Sequence, residues 1–399
     1  MIECIASLSD PRKARGKRHP LGAMVVPAAA ATLCGARNST AMAEWGRLHG
    51  ADLSRALGFT RGQTPCTATF FHLFRRLDRV VLDACLGRWQ ALVLAALPAD
   101  EGQVVRAVAI DGKSLRGSRK QGAPLTHLLS AVSHRLGLTL GQVAVAEKTN
   151  EITAIHTLLA GLLREGWVVT MDALLTQQKI AQAIVDAGGD YIMIIKANQP
   201  TLYADIATAF ADPVLLAGAS TTATTHSRGH GRAERRTLTL TSALADYLTW
   251  PGQRQVFQFV RTRTIRRTGE VAGEIAYGIT SLSAARADAA FILGRVRDHW
   301  IIENGSHYVR DVTFAEDHSQ VRTGSIPQVM VTCRNTAISV LRVQGEGNIA
   351  AACWRLAAFR MPSTVPVSSR LCRTPPNPYQ VRVLPVRAAR AARGAMSCP

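Results

Sequence analysis

Val104-Val105-Arg106-Ala107-Val108-Ala109-Ile110-Asp111 is a short apolar run of β type that ends in an acid. Gly166-Trp167-Val168-Val169-Thr170-Met171-Asp172 repeats the pattern further along. Carboxylates are costly to bury, so a strand ends in one because it turns there or because it faces a ligand. Either aspartate alone reads as a turn or cap. Together they gain weight, because neighbouring strand ends in an α/β sheet bring side chains to one crevice. Leu138 to Glu147 is an alternating strand candidate, Thr176 to Ala187 a helix, and Asp190 to Lys196 another buried strand. Strands with intervening helices predict an α/β core.

The flanks differ from this core. Residues 1–100 read as a helical unit. Arg12, Lys13, Arg15, Lys17 and Arg18 form a basic run, which is either a solvated arm or a phosphate-binding one. An Ala/Leu-rich stretch follows, interrupted at Pro27, then Thr40 to Leu57. Thr67 to Leu97 has helical spacing, with Phe70, Phe74, Leu77, Val81, Cys85 and Leu86 three to four residues apart. Residues 101–345 would hold the α/β core. Within it, about 205–280 look like a separate β-rich insert, with strand-like Thr237–Leu240 and Gln255–Thr262 and a cluster of Arg261, Arg263, Arg266 and Arg267. Ala284 to His307 is helical in pattern. Residues 346–399 read as a short helix and then a tail. The tail from Arg360 is rich in Arg and Pro and has no acid, which predicts disorder.

The 399 residues carry 47 Lys+Arg against 28 Asp+Glu, a net charge of +19. Such a balance points first to a polyanionic partner. A membrane reading is weak, because Leu21 to Ala36 falls short of the ~20 residues a spanning helix needs. The start of the chain lacks the basic run of a signal peptide. The 8 cysteines form no C-x-x-C pair and read as reduced thiols of a cytoplasmic protein. Gly112-Lys113-Ser114 lacks the upstream glycine of a phosphate loop, and Gly345-Glu346-Gly347 is no dinucleotide fingerprint. His226 and His230 lack cysteine partners for zinc.

A third acid is Glu303, in His299-Trp300-Ile301-Ile302-Glu303-Asn304. On a regular helix it would share a face with His299, His307 and Arg310. A surface salt-bridge face is the commoner origin of such a pattern. Three carboxylates, Asp111, Asp172 and Glu303, suit Mg²⁺ or Mn²⁺, and two such ions can run an in-line phosphoryl displacement.

Several ordered stretches then match one family. They include Asp10-Pro11-Arg12, Gly16-Lys17-Arg18-His19-Pro20-Leu21, Ala109-Ile110-Asp111-Gly112-Lys113-Ser114-Leu115-Arg116-Gly117 and Glu147-Lys148-Thr149-Asn150-Glu151-Ile152. Further on come Thr170-Met171-Asp172-Ala173-Leu174, Lys196-Ala197-Asn198-Gln199-Pro200, His299 to Asn304, and Val309-Arg310-Asp311-Val312-Thr313-Phe314. The chain resembles the H-repeat-associated transposases of bacterial insertion sequences, a branch of the DDE transposases, over about residues 10–359. The resemblance implies a ribonuclease H-like catalytic core, a helical N-terminal region and a β-rich insert before the catalytic glutamate. It implies Asp111, Asp172 and Glu303 as a metal-binding triad, with Mg²⁺ or Mn²⁺ as a pair of ions. It implies DNA-backbone contacts from His307 and Arg310, and substrate contact from Lys196, Asn198 and Gln199. The sequence departs from the pattern at Leu175, usually a histidine, and at Gly305, usually bulkier. The expected function is a cytoplasmic transposase. It would bind double-stranded DNA at the terminal inverted repeats and at the target, act as a homodimer, and cut and join strands. The rival is a DNA-binding relic with impaired catalysis.

Overall fold

The structure, a computed structural model, describes residues 1–96, 106–119, 125–145, 151–162 and 165–358. Val104 and Val105, Glu147 to Asn150 and the tail from Arg360 lie outside the described residues. The strands are β1 (Ala107–Ser114), β2 (His127–Ser133), β3 (Thr139–Val145), β4 (Val168–Met171) and β5 (Asp190–Ile195). They continue with β6 (Ser220–Gly229), β7 (Arg232–Thr241), β8 (Gln255–Ile265) and β9 (Val271–Thr280). All nine form one sheet in the order β3-β2-β1-β4-β5-β9-β8-β7-β6. β1, β4 and β5 run parallel, and every other pairing is antiparallel.

The register refines the reading of the first aspartate. β1 pairs with β4 only through Ile110↔Met171, yet continues against β2 as far as Ser114↔His127. Asp111 is therefore not at the end of its strand. It is the first residue past the reach of β4, where one edge of β1 becomes free. Asp172 is the matching first residue after β4. The two acids are register neighbours because the parallel β1–β4 ladder ends one residue before each of them.

Three other expectations change. The insert is not a separate unit: β9 pairs with β5, so its four strands extend the core sheet. The segment 67–97 is two helices, Thr67–Phe74 and Arg79–Ala96. Asp78 causes the break, since its Oδ1 accepts from the N–H groups of Val80 and Val81 and starts a new helix. Pro27 does not interrupt its helix, which runs Leu21–Leu33. An interior proline costs about 3 kcal/mol. Met24 and Val25 are almost wholly buried, and burial of side chains of that size returns about 1.5–3 kcal/mol each.

The helix Ile326–Val343 ties the layers together. Ile326, Val329, Met330 and Cys333 pack with Met24, Ala28, Phe70, Phe74 and Leu82 of the N-terminal helices. Its polar face carries a buried chain of hydrogen bonds. Thr332 donates to Asp83, and Gln142 Nε2 reaches the same carboxyl at 3.5 Å. Asn335 donates to Gln142 Oε1 at 3.1 Å, and Arg310 donates to Asn335 Oδ1 at 3.5 Å. Among the described residues, no helix is long and apolar enough to cross a membrane.

Burial pushes the Asp83 carboxyl up to about 7, against the opposing pull of its bonds to Thr332 and Gln142. Its folded value thus lies above the ordinary 3.8. Between those two values the folded chain keeps a proton that the unfolded chain has released. Stability contributed by this group is therefore lost as pH rises through that window. Urea unfolding across this range should show the decline, and Asp83→Asn should flatten it. An unchanged slope in the variant would remove Asp83 as its cause.

Candidate active site

Glu303 sits in an irregular turn. After the helix Ala289–Asp298 the chain makes a π-helical segment, Ile302–His307, before Tyr308–Val312. The Tyr308 N–H donates to the Glu303 carbonyl, five residues back. An α-helix turns in about 3.6 residues and a π turn takes in about one more, so everything beyond it is rotated backward. Glu303 and His307 stay on one face across the wide turn. Arg310 does not.

Asp111, Glu303 and His307 converge, each offering one ligand atom within 4.8 Å of the others. His307 Nδ1 lies 3.6 Å from Asp111 Oδ2 and 3.7 Å from Glu303 Oε1. Asp172 stands outside this cluster, although its charge acts on Asp111. Its Oδ1 accepts from the Leu174 N–H at 2.9 Å and caps the turn Ala173–Leu175. Burial, then the Glu303 and Asp172 charges, push Asp111 up to about 7. The neighbouring His307 ring holds Glu303 below the usual carboxylate range. Burial lowers His307 against the pull of Glu303. Such a cluster keeps a proton that a cation would displace.

The other expected residues fall in two groups. Lys13, Arg15, Lys17, Arg18 and Lys196 are exposed. Arg12 and Arg310, for which DNA contact is expected, are turned inward in the structure. Arg12 binds Asp10 at 2.7 Å and donates to the His19 carbonyl at 2.7 Å. Arg310 is fully buried, with its Nε 3.3 Å from Glu316 Oε1. His307 is only 4% exposed and faces the acids rather than the solvent. Asn198 donates to the Ala173 carbonyl at 2.7 Å, and Gln199 to the Thr176 carbonyl at 3.2 Å. Both steady the turn that carries Asp172. Leu175 is buried in the main core, so this position packs and offers no titratable group.

Several residues around the site were not foreseen. Thr170 Oγ1 lies 2.9 Å from His134 Nε2 and 2.9 Å from His299 Nδ1. One hydroxyl can donate to one ring and accept from the other, which suits two neutral imidazoles. Burial holds them so, lowering His134 to about 3 and His299 to about 4. A lone hydroxyl in the apolar run Val168–Met171 was the signal. Lys113 follows Asp111 by two residues and so shares its face of the strand. It is paired with Asp311 at 2.6 Å. Arg342 donates to the carbonyls of Gly137 and Gly305, at 2.6 and 2.5 Å. It staples the Glu303 turn to the turn between β2 and β3. The departure at Gly305 has its reason here, since the guanidinium fills the space of a side chain.

Residues 103–338 match the transposase DDE domain, and residues 2–90 match the region described as DDE_Tnp_1-associated. The chain belongs to the transposase DDE domain family. YhhI of Escherichia coli K12, named as an H repeat-associated transposase, is 28% identical over 86% of this chain and 90% of its own length. The transposase-named YncI of Escherichia coli O157:H7 is 27% identical over 86% of this chain and 87% of its own. An uncharacterised protein from the dhlA 3′ region of Xanthobacter autotrophicus is 32% identical over 69% of this chain and 92% of its own. The piggyBac transposase synaptic complex with hairpin DNA aligns at a TM-score of 0.38 and 10% identity, over 84% of this chain and 70% of that one. So slight a likeness bears nothing further. The expected resemblance to H-repeat-associated transposases therefore holds.

A methyl group added at Gly305 would lie 2.5 Å from Arg342 Nη2. Gly305→Ala should push the Arg342 guanidinium aside and cost about 0.5–1.5 kcal/mol in denaturant unfolding, the worth of a hydrogen bond lost. Equal stability of the two proteins would count against the staple.

Proposed function

We propose that this chain is the transposase of a bacterial insertion sequence, cutting DNA at the element ends and joining the freed strands to a target. The observation that carries the reading is the meeting of Asp111 with Glu303, beside Asp172, in a chain of this family. β3-β2-β1-β4-β5, with β2 alone reversed between its neighbours, is consistent with a ribonuclease H-like core. The donor set fits hard divalent cations, Mg²⁺ or Mn²⁺. When bound as a pair, such ions polarise the attacking and leaving oxygens of an in-line displacement.

Asp111 would hold the central position, flanked by Asp172 from the end of β4 and Glu303 from the π turn. Water would attack the phosphorus and release a 3′-hydroxyl. That hydroxyl would attack a target phosphodiester, with no covalent protein intermediate. Asp111→Asn and Glu303→Gln should each lower Mg²⁺-dependent cleavage of terminal-repeat DNA by at least about a hundredfold. Cleavage equal to wild type would sink the assignment. Repeat binding by the wild type without any cleavage in Mg²⁺ or Mn²⁺ would favour the impaired relic. Pairing of two ends argues for a homodimer in the active complex.

DNA contact is assigned to the N-terminal region and the sheet extension. Lys13, Arg15, Lys17 and Arg18 are exposed in and around the short 3-10 helix Ala14–Gly16. Antiparallel register puts Thr222, Thr224, His226 and Arg228 of β6 on one face with Arg235, Thr237 and Thr239 of β7 and Thr262 and Thr264 of β8. No acid from these strands shares that face. On the opposite face Glu234 pairs with Arg236 and Arg263, and Glu274 with Arg261. The acid-free face thus offers hydroxyls and guanidinium groups to phosphates. Replacing both Arg228 and Arg235 by Ala should reduce the slope of log affinity against log salt by about 1.8, the share of two phosphate contacts. An unchanged slope would move the DNA elsewhere.

A further inference from the structure

His307 is the histidine of the cluster, and DNA contact does not explain where it sits. Its side chain is 5% exposed, and the carboxylates of Asp111 and Glu303 both approach its Nδ1. A phosphate cannot reach a ring so enclosed without displacing the acids. Nδ1 faces both carboxylates, while Nε2 is buried with no hydrogen-bond partner among the described residues. The ring is thus neither a solvent-facing base nor a fully bonded core histidine.

The spacing suits a shared ion. Two donors at right angles around a cation with bonds of about 2.1 Å lie about 3.0 Å apart, and opposite donors about 4.2 Å. The distances of 3.6 and 3.7 Å from Nδ1 to the two acids fall between these limits. The π turn contributes directly. It gives the four-residue step from Glu303 to His307 a common face while diverting Arg310 into the core. An ordinary α-helix would have kept the guanidinium beside the acids, where it would compete with a cation.

We propose that His307 supplies a nitrogen ligand, through Nδ1, to the divalent ion held by Asp111 and Glu303. This rests on the metal-dependent reading above. Asp111, Glu303 and His307 then form a mixed oxygen and nitrogen set. An imidazole donor favours transition ions over Mg²⁺, so the site should prefer Mn²⁺ by more than three carboxylates alone would.

Mn²⁺ alone, bound to the full chain, is the probe, and electron spin-echo spectroscopy is the readout. Wild type should show nitrogen modulation that changes when histidine is labelled with ¹⁵N, a test that needs no mutation. His307→Gln should abolish the modulation and weaken Mn²⁺ binding about tenfold or more, and weaken Mg²⁺ binding less. Mn²⁺ bound in an Asp111-dependent way without nitrogen modulation would overturn the proposal and leave the metal reading intact. Mn²⁺ binding indifferent to Asp111→Asn would overturn both. Loss of DNA affinity in His307→Gln, with Mn²⁺ affinity and modulation unchanged, would return the residue to a backbone contact.

Discussion

Glu316 is the point on which the segment carrying Glu303 and His307 hangs. It is 2% exposed and lies between two buried arginines, with Oε1 3.3 Å from Arg310 and Oε2 3.0 Å from Arg334. Two guanidinium groups cannot remain inside a protein unless a carboxylate answers them, because an unpaired buried charge costs several kcal/mol. Arg334 belongs to the helix that also holds the N-terminal helices, and Arg310 belongs to the segment just past His307. The ion triad therefore fixes that segment against the core. It also explains the π turn, since an extra residue per turn is what lets Arg310 face inward while Glu303 and His307 face β1.

A single polar thread runs from there into the N-terminal region. Arg310 touches Asn335, Asn335 touches Gln142, and Gln142 touches Asp83. The helical region and the sheet are joined by partners whose separation would leave buried donors and acceptors unpaired. The apolar cluster that Ile326, Val329, Met330 and Cys333 share with the N-terminal helices supplies the attachment, and the thread supplies its register.

Much of this was legible in the residues. Apolar runs ending in acids located β1 and β4, and in-register parallel pairing brought Asp111 and Asp172 together. The helix read at Thr176 to Ala187 and the buried strand at Asp190 also hold. What escaped was set by contacts distant in sequence. β2 carries no alternation because it is buried on both faces, so its sequence signal is weak. β9 is exposed at one end and buried at the other, which hides its period. No local pattern announces a π turn, and a strict helical face therefore misassigned Arg310. Arg12 belongs to the basic run by sequence but is paired with Asp10, two residues upstream, a partner that composition alone does not reveal.

The join between β5 and β9 has a mechanical meaning. Hydrogen-bonded strands run without a gap from the arginine-bearing hairpin tips to the strand that delivers Asp172. Such a plate is stiff in its own plane, because sliding one strand means breaking a whole ladder. A load applied at the far edge would thus be passed to the strand ends beside Asp111 and Asp172 as torque, and the seating of those ends would become sensitive to how the distant edge is gripped.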